Sequence, residues 1–170
     1  PACDAWRTNT IRRIAASPTR LVIMSSFKYV GAYTTISTRG WRMGFERTVE
    51  KFLAAGKKML ILSDTPTALK MPADCVAAHT RSLSECALNR ATHTRPAEVN
   101  SLRQIAAKYG VRTFDSSELF CTDRCPMVIG NVMVYRDPNH ISATFSETLA
   151  PYLALLVEDA LASSPALPTS

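Results

Sequence analysis

The sequence predicts an α/β domain in which a mostly parallel sheet lies between two layers of helices, a three-layer α/β/α sandwich. Segments with apolar residues at helical spacing alternate along the chain with short runs made only of apolar residues. Such runs are typical of strands buried on both faces, as in a parallel sheet covered by helices. At 170 residues the chain fits one domain, which we expect to span residues 1–162 and to be followed by a disordered tail at 163–170.

The first 62 residues predict two helix–strand pairs. Residues 4–16 predict a helix because their apolar side chains recur at helical spacing, and the continuous apolar run at 21–24 predicts a strand. The polar stretch at 31–40 is typical of a loop. Residues 41–55 predict a second helix with one apolar stripe, and the run at 59–62 predicts a second buried strand. The stripe of the first helix is Trp6, Thr10, Ile11 and Ile14.

The second part of the chain is less regular. Residues 64–96 are punctuated by proline and carry two cysteines, so we expect them to lie outside the helix–strand alternation. Residues 97–109 predict a helix and 111–114 a strand. The stretch 131–135 is a short strand or extended segment, and residues 142–161 predict the last helix. The N-cap and inner stripe of that helix are Ser142, Phe145, Leu149, Tyr152, Leu153, Leu156 and Ala160.

Charge and motifs narrow the class of function. The formal net charge is +6, but the basic residues are spread along the chain without a dense run or a nucleic-acid-binding motif. We therefore expect a solvated basic surface and no nucleic-acid partner. No apolar run reaches the roughly 18 residues that span a bilayer, and the first residues lack the pattern of a signal peptide. The chain opens without Met, so we expect a piece of a longer protein. Neither G-x-G-x-x-G nor G-x-x-x-x-G-K-[ST] occurs, which ranks a nucleotide-binding domain low.

The five cysteines are Cys3, Cys75, Cys86, Cys121 and Cys125. The second and third flank one loop-like stretch and the last two flank another, which suits disulfides in an oxidising compartment. Reduced core thiols are an alternative, as is a zinc site that adds His79. The spacings C-x10-C and C-x3-C match the usual zinc knuckles poorly. We expect the partner of Cys3 to lie upstream.

Asp137 and His140 are the candidate catalytic residues. In a tight turn, a spacing of three lets the carboxylate accept a hydrogen bond from one ring nitrogen and leaves the other free to take a proton from a hydroxyl. Pro138 stiffens the turn. His79 and His93 have no acid three residues before them, and we expect them to be surface histidines. For His140 the alternative is a structural role, either capping the last helix or bonding backbone.

The closing block of the chain reads Cys125-Pro126, then Val134-Tyr135-x-Asp137-x-x-His140-Ile141-Ser142. It resembles the last conserved block of SGNH hydrolases, and more narrowly that of the SGNH domains fused behind acyltransferase family 3 membrane proteins. Residues 62–66, followed by a loop cysteine, resemble the middle strand of that group and its exit. Cys3 with Trp6 resembles the helix before the run at 21–24. The resemblance spans nearly the whole chain.

The resemblance implies a flavodoxin-like fold whose first strand is missing from this chain. The family's nucleophile is the serine of a Gly-Asp-Ser turn, and neither that turn nor Gly-x-Ser-x-Gly occurs here. After residues 21–24 the family's Gly-x-Asn-Asp is replaced by Ser25-Ser26-Phe27-Lys28-Tyr29. We therefore expect Ser26, Lys28 and Tyr29 to line the substrate cleft, with Lys28 or Tyr29 as a substitute oxyanion donor. Ser25 and Ser26 lack the glycine-framed turn of a nucleophile.

For function, the resemblance implies O-acyl transfer to a cell-envelope carbohydrate, usually of acetyl, or ester hydrolysis on it. His140 would be the base, Asp137 its orienting acid, and an upstream serine the nucleophile. The implied partners are the carbohydrate acceptor and an N-terminal membrane acyltransferase domain of the same parent chain. The implied location is extracytoplasmic and tethered to the membrane, and no metal or cofactor is implied. A glycan-binding module without catalysis is the alternative.

Overall fold

The computed structural model describes residues 2–25, 36–68 and 70–163. The predicted cleft residues Ser26, Lys28 and Tyr29 lie outside the described residues, as does the predicted tail apart from Ser163. The chain forms two compact units. The first comprises residues 1–62, 101–114 and 156–170, and the second comprises 63–100 and 115–155. Within the described part of the chain, no helix combines the length and apolar character needed to cross a membrane.

The helices are α1 (Ala2–Ala16), α2 (Thr38–Ala54), α3 (Pro72–Ala78), α4 (Arg90–His93), α5 (Pro96–Tyr109), α6 (Ala143–Thr148) and α7 (Ala150–Ala162). The strands are β1 (Leu21–Ser25), β2 (Lys58–Leu62), β3 (Leu88–Asn89), β4 (Arg112–Phe114), β5 (Arg124–Cys125), β6 (Val128–Ile129) and β7 (Val132–Met133). Short 3-10 turns span Leu83–Cys86 and Ser116–Leu119.

The first unit contains a three-stranded parallel sheet in the order β1–β2–β4. Ile23 is the register partner of Leu60, which is in turn the partner of Arg112. All three strands lie where the sequence predicts strands, β1 and β2 within continuous apolar runs and β4 within residues 111–114, and the α/β fold class is confirmed. The middle strand β2 is the most buried, with Leu60 and Ile61 almost without exposed surface, as expected for a strand paired on both sides.

Helices α2 and α5 supply most of the core of the first unit. α2 begins at Thr38, earlier than predicted, because the Ser37 hydroxyl accepts a hydrogen bond from the Gly40 N–H at 3.1 Å and caps the helix. Gly56, with a φ of +73°, follows the helix in a conformation that favours glycine. The buried cluster is Phe45, Val49, Phe52, Met59, Ile61, Leu102, Ile105, Ala106, Tyr109 and Val111.

One prediction of burial in the first unit is wrong. The sequence predicts Ile23 inside a strand buried on both faces, but it is 48% exposed. Helix α1 forms where the helical spacing of Trp6, Thr10, Ile11 and Ile14 predicts it, but it has no buried residue, and Trp6 is 67% exposed. Among the described residues β1 pairs only with β2. The described residues therefore leave the outer side of this edge strand uncovered.

The second unit is built from short elements, consistent with the predicted excursion at 64–96. Its strands form two small antiparallel ribbons, β3 with β5 and β6 with β7. The stretch 131–135 is thus only partly a strand, and β7 belongs to a hairpin rather than to the parallel sheet. Gly130, with a φ of +58°, lies between the two hairpin strands and allows the chain to reverse there. The buried cluster is Ala68, Cys86, Phe120, Cys121, Cys125, Met127, Val134, Tyr135, Phe145 and Leu149.

The predicted last helix at 142–161 is divided into α6 and α7. Ser142 is the N-cap of α6, as predicted, since its hydroxyl accepts a hydrogen bond from the Phe145 N–H at 3.1 Å. Pro151 cannot donate a backbone hydrogen bond, so α7 begins at Ala150 and places Pro151 in its first turn, which needs no such donor. Tyr152, predicted on the inner stripe, is exposed.

Candidate active site

A tight loop after the hairpin of the second unit carries Asp137 and His140. Tyr135 and Ile141 form an antiparallel bridge at its base, and the Arg136 N–H donates to the His140 carbonyl at 2.9 Å. Tyr135 is almost fully buried, which anchors the start of the loop in the core. The loop therefore closes on itself, and the acid and the imidazole lie on one short turn.

The carboxylate of Asp137 is the centre of a dense set of hydrogen bonds. His140 Nδ1 lies 2.9 Å from both Oδ1 and Oδ2. Oδ1 also accepts from the backbone N–H groups of Asn139 at 3.1 Å and His140 at 2.9 Å. Oδ2 accepts from Arg136 Nε at 3.2 Å and Nη2 at 3.0 Å. Backbone and side-chain donors together fix the orientation of the carboxylate.

These donors hold the pKa of Asp137 below its ordinary value. The backbone N–H of Asn139 is the largest cause, followed by the His140 ring, the Arg136 side chain and the backbone N–H of His140, while partial desolvation acts in the opposite direction. The group is therefore an ionised carboxylate at neutral pH and can only accept hydrogen bonds. It follows that His140 Nδ1 carries a proton and donates it, which leaves Nε2 as a proton acceptor.

The two members of the pair differ in exposure. The side chain of His140 is 60% exposed, whereas that of Asp137 is 25% exposed. An imidazole of this kind is accessible to a second molecule or segment, and its partner is sheltered from solvent. This arrangement can accept a proton from a hydroxyl and stabilise the resulting imidazolium.

The other two histidines make different contacts. His79 Nδ1 lies 3.1 Å from Glu85 Oε2, a pairing that sequence spacing did not predict because the acid follows by six residues. His93 Nδ1 contacts the Asn89 carbonyl at 2.9 Å and the Thr92 hydroxyl at 2.8 Å. Unlike Asp137, Glu85 is itself exposed. Both histidines lie within residues 64–96, His79 directly after α3 and His93 at the end of α4.

The segment after β2, which the sequence analysis singled out at residues 62–66, contacts this loop, and the sequence did not predict that contact. Thr65 Oγ1 donates to the Asn139 carbonyl at 3.1 Å, and the Ala68 N–H donates to the Pro138 carbonyl at 2.7 Å. The available signal was position, because these residues follow β2, and functional loops commonly follow strands in α/β folds. Sequence spacing gave no indication of the partner, which lies 74 residues away in the case of Thr65.

The four later cysteines form the two local disulfides that their spacing favours. Cys75 is bonded to Cys86 and Cys121 to Cys125. The structure therefore favours disulfides over reduced thiols or zinc ligation by these cysteines. In the described residues no group of three or more His, Cys, Asp or Glu side chains is arranged to hold a metal ion. Cys3 is a free, exposed thiol.

Comparison with known proteins places these features in context. The family described as "SGNH domain (fused to AT3 domains)" matches residues 1–154. No curated protein matches the chain. Among solved structures, the chain is similar to the lipopolysaccharide acetyltransferase periplasmic domain of Salmonella ser. Paratyphi A, with a TM-score of 0.69 and 14% identity. The alignment covers 89% of this chain and 61% of that one, so the chain spans less than two thirds of the solved domain.

Proposed function

This chain belongs to the family of SGNH domains fused to AT3 domains, and from that premise we propose that it contributes the acid–base pair of an O-acyltransferase or esterase acting on a cell-envelope carbohydrate. The single observation that carries the proposal is the contact of His140 Nδ1 with the Asp137 carboxylate at 2.9 Å. It gives the imidazole the tautomer and the orientation that acyl transfer through a serine requires.

In the proposed reaction, His140 Nε2 takes the proton of a seryl hydroxyl as the seryl oxygen bonds to the acyl carbon. Collapse of the tetrahedral intermediate breaks the ester bond of the donor, and the imidazolium returns the proton to the departing oxygen. The acyl group then passes from the serine to a sugar hydroxyl, or to water, by the same steps. Asp137 stabilises the imidazolium throughout. The serine is proposed to come from outside residues 1–170, since no Gly-Asp-Ser occurs within them.

The substrate class rests on the family and on the structural neighbour. The neighbour is the periplasmic domain of a lipopolysaccharide acetyltransferase, which supports acetyl as the acyl group and a polysaccharide as the acceptor. The family description supports a membrane acyltransferase domain as the partner in the same parent chain. Two disulfides are consistent with an oxidising, extracytoplasmic compartment. Tethering to the membrane through that partner rests on the family description alone.

The test compares two histidine variants of the full-length protein in an assay of acetyl transfer and of ester hydrolysis. His140→Ala should lower the rate by about 10²–10⁴-fold, the usual contribution of a general base. His79→Ala is the matched control, because His79 also pairs with a carboxylate in the same unit, and its rate should stay within about twofold of wild type. Equal rates for wild type and His140→Ala would remove His140 from this role.

The absence of Gly-Asp-Ser from residues 1–170 also favours testing a non-catalytic glycan-binding module. Such a module would bind polysaccharide but catalyse neither transfer nor hydrolysis. Wild type and His140→Ala would then show the same rate in the assay. The two functions therefore give different results in the same assay.

A further inference from the structure

The segment Asp64–Ala68 contacts the loop that carries Asp137 and His140. The contacts are made at Pro138 and Asn139, the two residues between the acid and the histidine. Thr65 Oγ1 donates to the carbonyl of Asn139 at 3.1 Å, and the Ala68 N–H donates to the carbonyl of Pro138 at 2.7 Å. Both carbonyls belong to peptide units between Asp137 and His140. The segment thus fixes the tip of the loop, while the backbone bridge at its base fixes the other end.

Polar contacts hold the Asp64–Ala68 segment in place. Asp64 Oδ1 accepts from the Thr65 N–H at 2.9 Å, which fixes the start of the segment. Arg95 Nη1 donates to Asp64 Oδ2 at 3.1 Å, and Arg95 Nη2 donates to the Thr67 hydroxyl. The Thr67 N–H in turn donates to the His93 carbonyl at 3.1 Å. Asp64 and Arg95 are each about three-quarters buried, so this ion pair is sheltered from solvent.

The backbone of Arg95 is in an unusual conformation. Its φ is +51°, in the left-handed region that residues with a β-carbon rarely adopt, and Pro96 follows it. A residue before proline favours an extended backbone. Strained conformations persist where the surrounding structure determines them, and they cluster at functional sites. The contacts of Arg95 with Asp64 and Thr67 supply such surroundings here.

We infer that Thr65 is a positioning residue for His140, acting through the carbonyl of Asn139, and this inference rests on the proposed function. Among the described residues, the hydrogen bonds of Thr65 go to Asp64 and to the Asn139 carbonyl, so its effect on the pair is through the orientation of the turn. Proton transfer depends steeply on such orientation. Without the hydroxyl, Ala68 still holds Pro138, but the peptide next to His140 loses its donor.

The test uses three threonine variants of the full-length protein in the acetyl-transfer assay. Thr65→Val removes the donor with little change of shape and should lower kcat roughly 3- to 30-fold, with KM within about twofold of wild type. Thr65→Ser restores a hydroxyl and should recover most of the lost kcat. Thr148→Val is the matched control, because the Thr148 hydroxyl also donates to a backbone carbonyl in the same unit, at 2.7 Å, without contacting the loop.

A second readout separates positioning from general destabilisation. The ring nitrogen-15 chemical shifts of His140, followed by NMR near neutral pH, should report a protonated Nδ1 in wild type and Thr65→Ser, and a mixture of the two tautomers in Thr65→Val. If Thr65→Val had the kcat of wild type while His140→Ala was inactive, the inference about Thr65 would be overturned and the proposed function would stand. Equal losses in Thr65→Val and Thr148→Val, or no recovery in Thr65→Ser, would also overturn it. Full activity of His140→Ala would overturn both.

Discussion

The two disulfides should stabilise the protein unequally, and the lengths of the loops they close set the difference. Cys75–Cys86 joins residues 11 apart, and Cys121–Cys125 joins residues 4 apart. Each disulfide stabilises the folded protein by removing the entropy of its loop in the unfolded chain. By this effect the first contributes about 2.8 kcal/mol and the second about 1.9 kcal/mol to the free energy of unfolding at about 25 °C. Replacing each pair by two alanines should therefore cost about 0.9 kcal/mol more for the longer loop.

Burial predicts the opposite order, which makes the comparison informative. Cys121 and Cys125 are both buried, whereas Cys75 is only partly buried. If lost packing dominated, the pair 121/125 would be the more costly one to remove. Loop entropy and packing thus make contrary predictions for the same two double variants.

The assay is urea unfolding of the two double variants and wild type, followed by far-UV circular dichroism. Both tryptophans lie in the first unit and both disulfides in the second, so tryptophan fluorescence would report the wrong unit. In the chain of residues 1–170, Cys3→Ala is the control, because Cys3 is exposed and forms no disulfide among the described residues, and it should change stability by less than about 0.5 kcal/mol. A larger loss for Cys121→Ala/Cys125→Ala than for Cys75→Ala/Cys86→Ala would refute the loop-entropy reasoning.

Three further predictions concern the loop. Asp137→Asn presents an amide N–H to His140 Nδ1 and thereby favours the tautomer with its proton on Nε2. The kcat for ester hydrolysis should fall about 10²–10⁴-fold, and a loss below about tenfold would contradict the role assigned to Asp137. Because the folded-state pKa of Asp137 is lowered, its stabilising effect is complete above the unfolded pKa of about 3.9 and is lost as pH falls towards the folded value. The difference in Tm between wild type and Asp137→Asn should thus be present at neutral pH and shrink below about pH 4, and a difference that does not shrink there would be inconsistent with this sign. Tyr135→Phe should leave stability unchanged or raise it by about 1 kcal/mol in urea unfolding, since the buried hydroxyl has no hydrogen-bond partner among the described residues; a loss above about 1 kcal/mol would show that it has a partner elsewhere.

The parallel strands were predictable because their signal is local. A short run of apolar residues indicates a strand buried on both faces, and the runs at 21–24 and 59–62 match β1 and β2, while the stretch predicted as a strand at 111–114 contains β4. The Asp137–His140 contact was predictable for the same reason, since both residues belong to one turn. A local pattern does not show which elements pack against the faces of a strand, and the exposure of Ile23 is an example.

Contacts between distant parts of the chain were not predictable. Thr65 meets Asn139 across 74 residues, and neither residue belongs to a periodic pattern. The hairpin of β6 and β7 is too short for a clear strand alternation. The division between α6 and α7 depends on the single backbone donor that Pro151 lacks, which outweighs a continuous apolar stripe.

The tautomer of His140 is the most direct test of the pair. Nitrogen-15 NMR of histidine-labelled protein distinguishes a protonated Nδ1 from a protonated Nε2 near neutral pH. The carboxylate contact requires the proton on Nδ1, with the lone pair of Nε2 exposed to a hydroxyl, and Asp137→Asn should move the proton to Nε2. The account would be contradicted if His140 of the wild type were protonated on Nε2, or if its ring nitrogen signals were the same in wild type and Asp137→Asn.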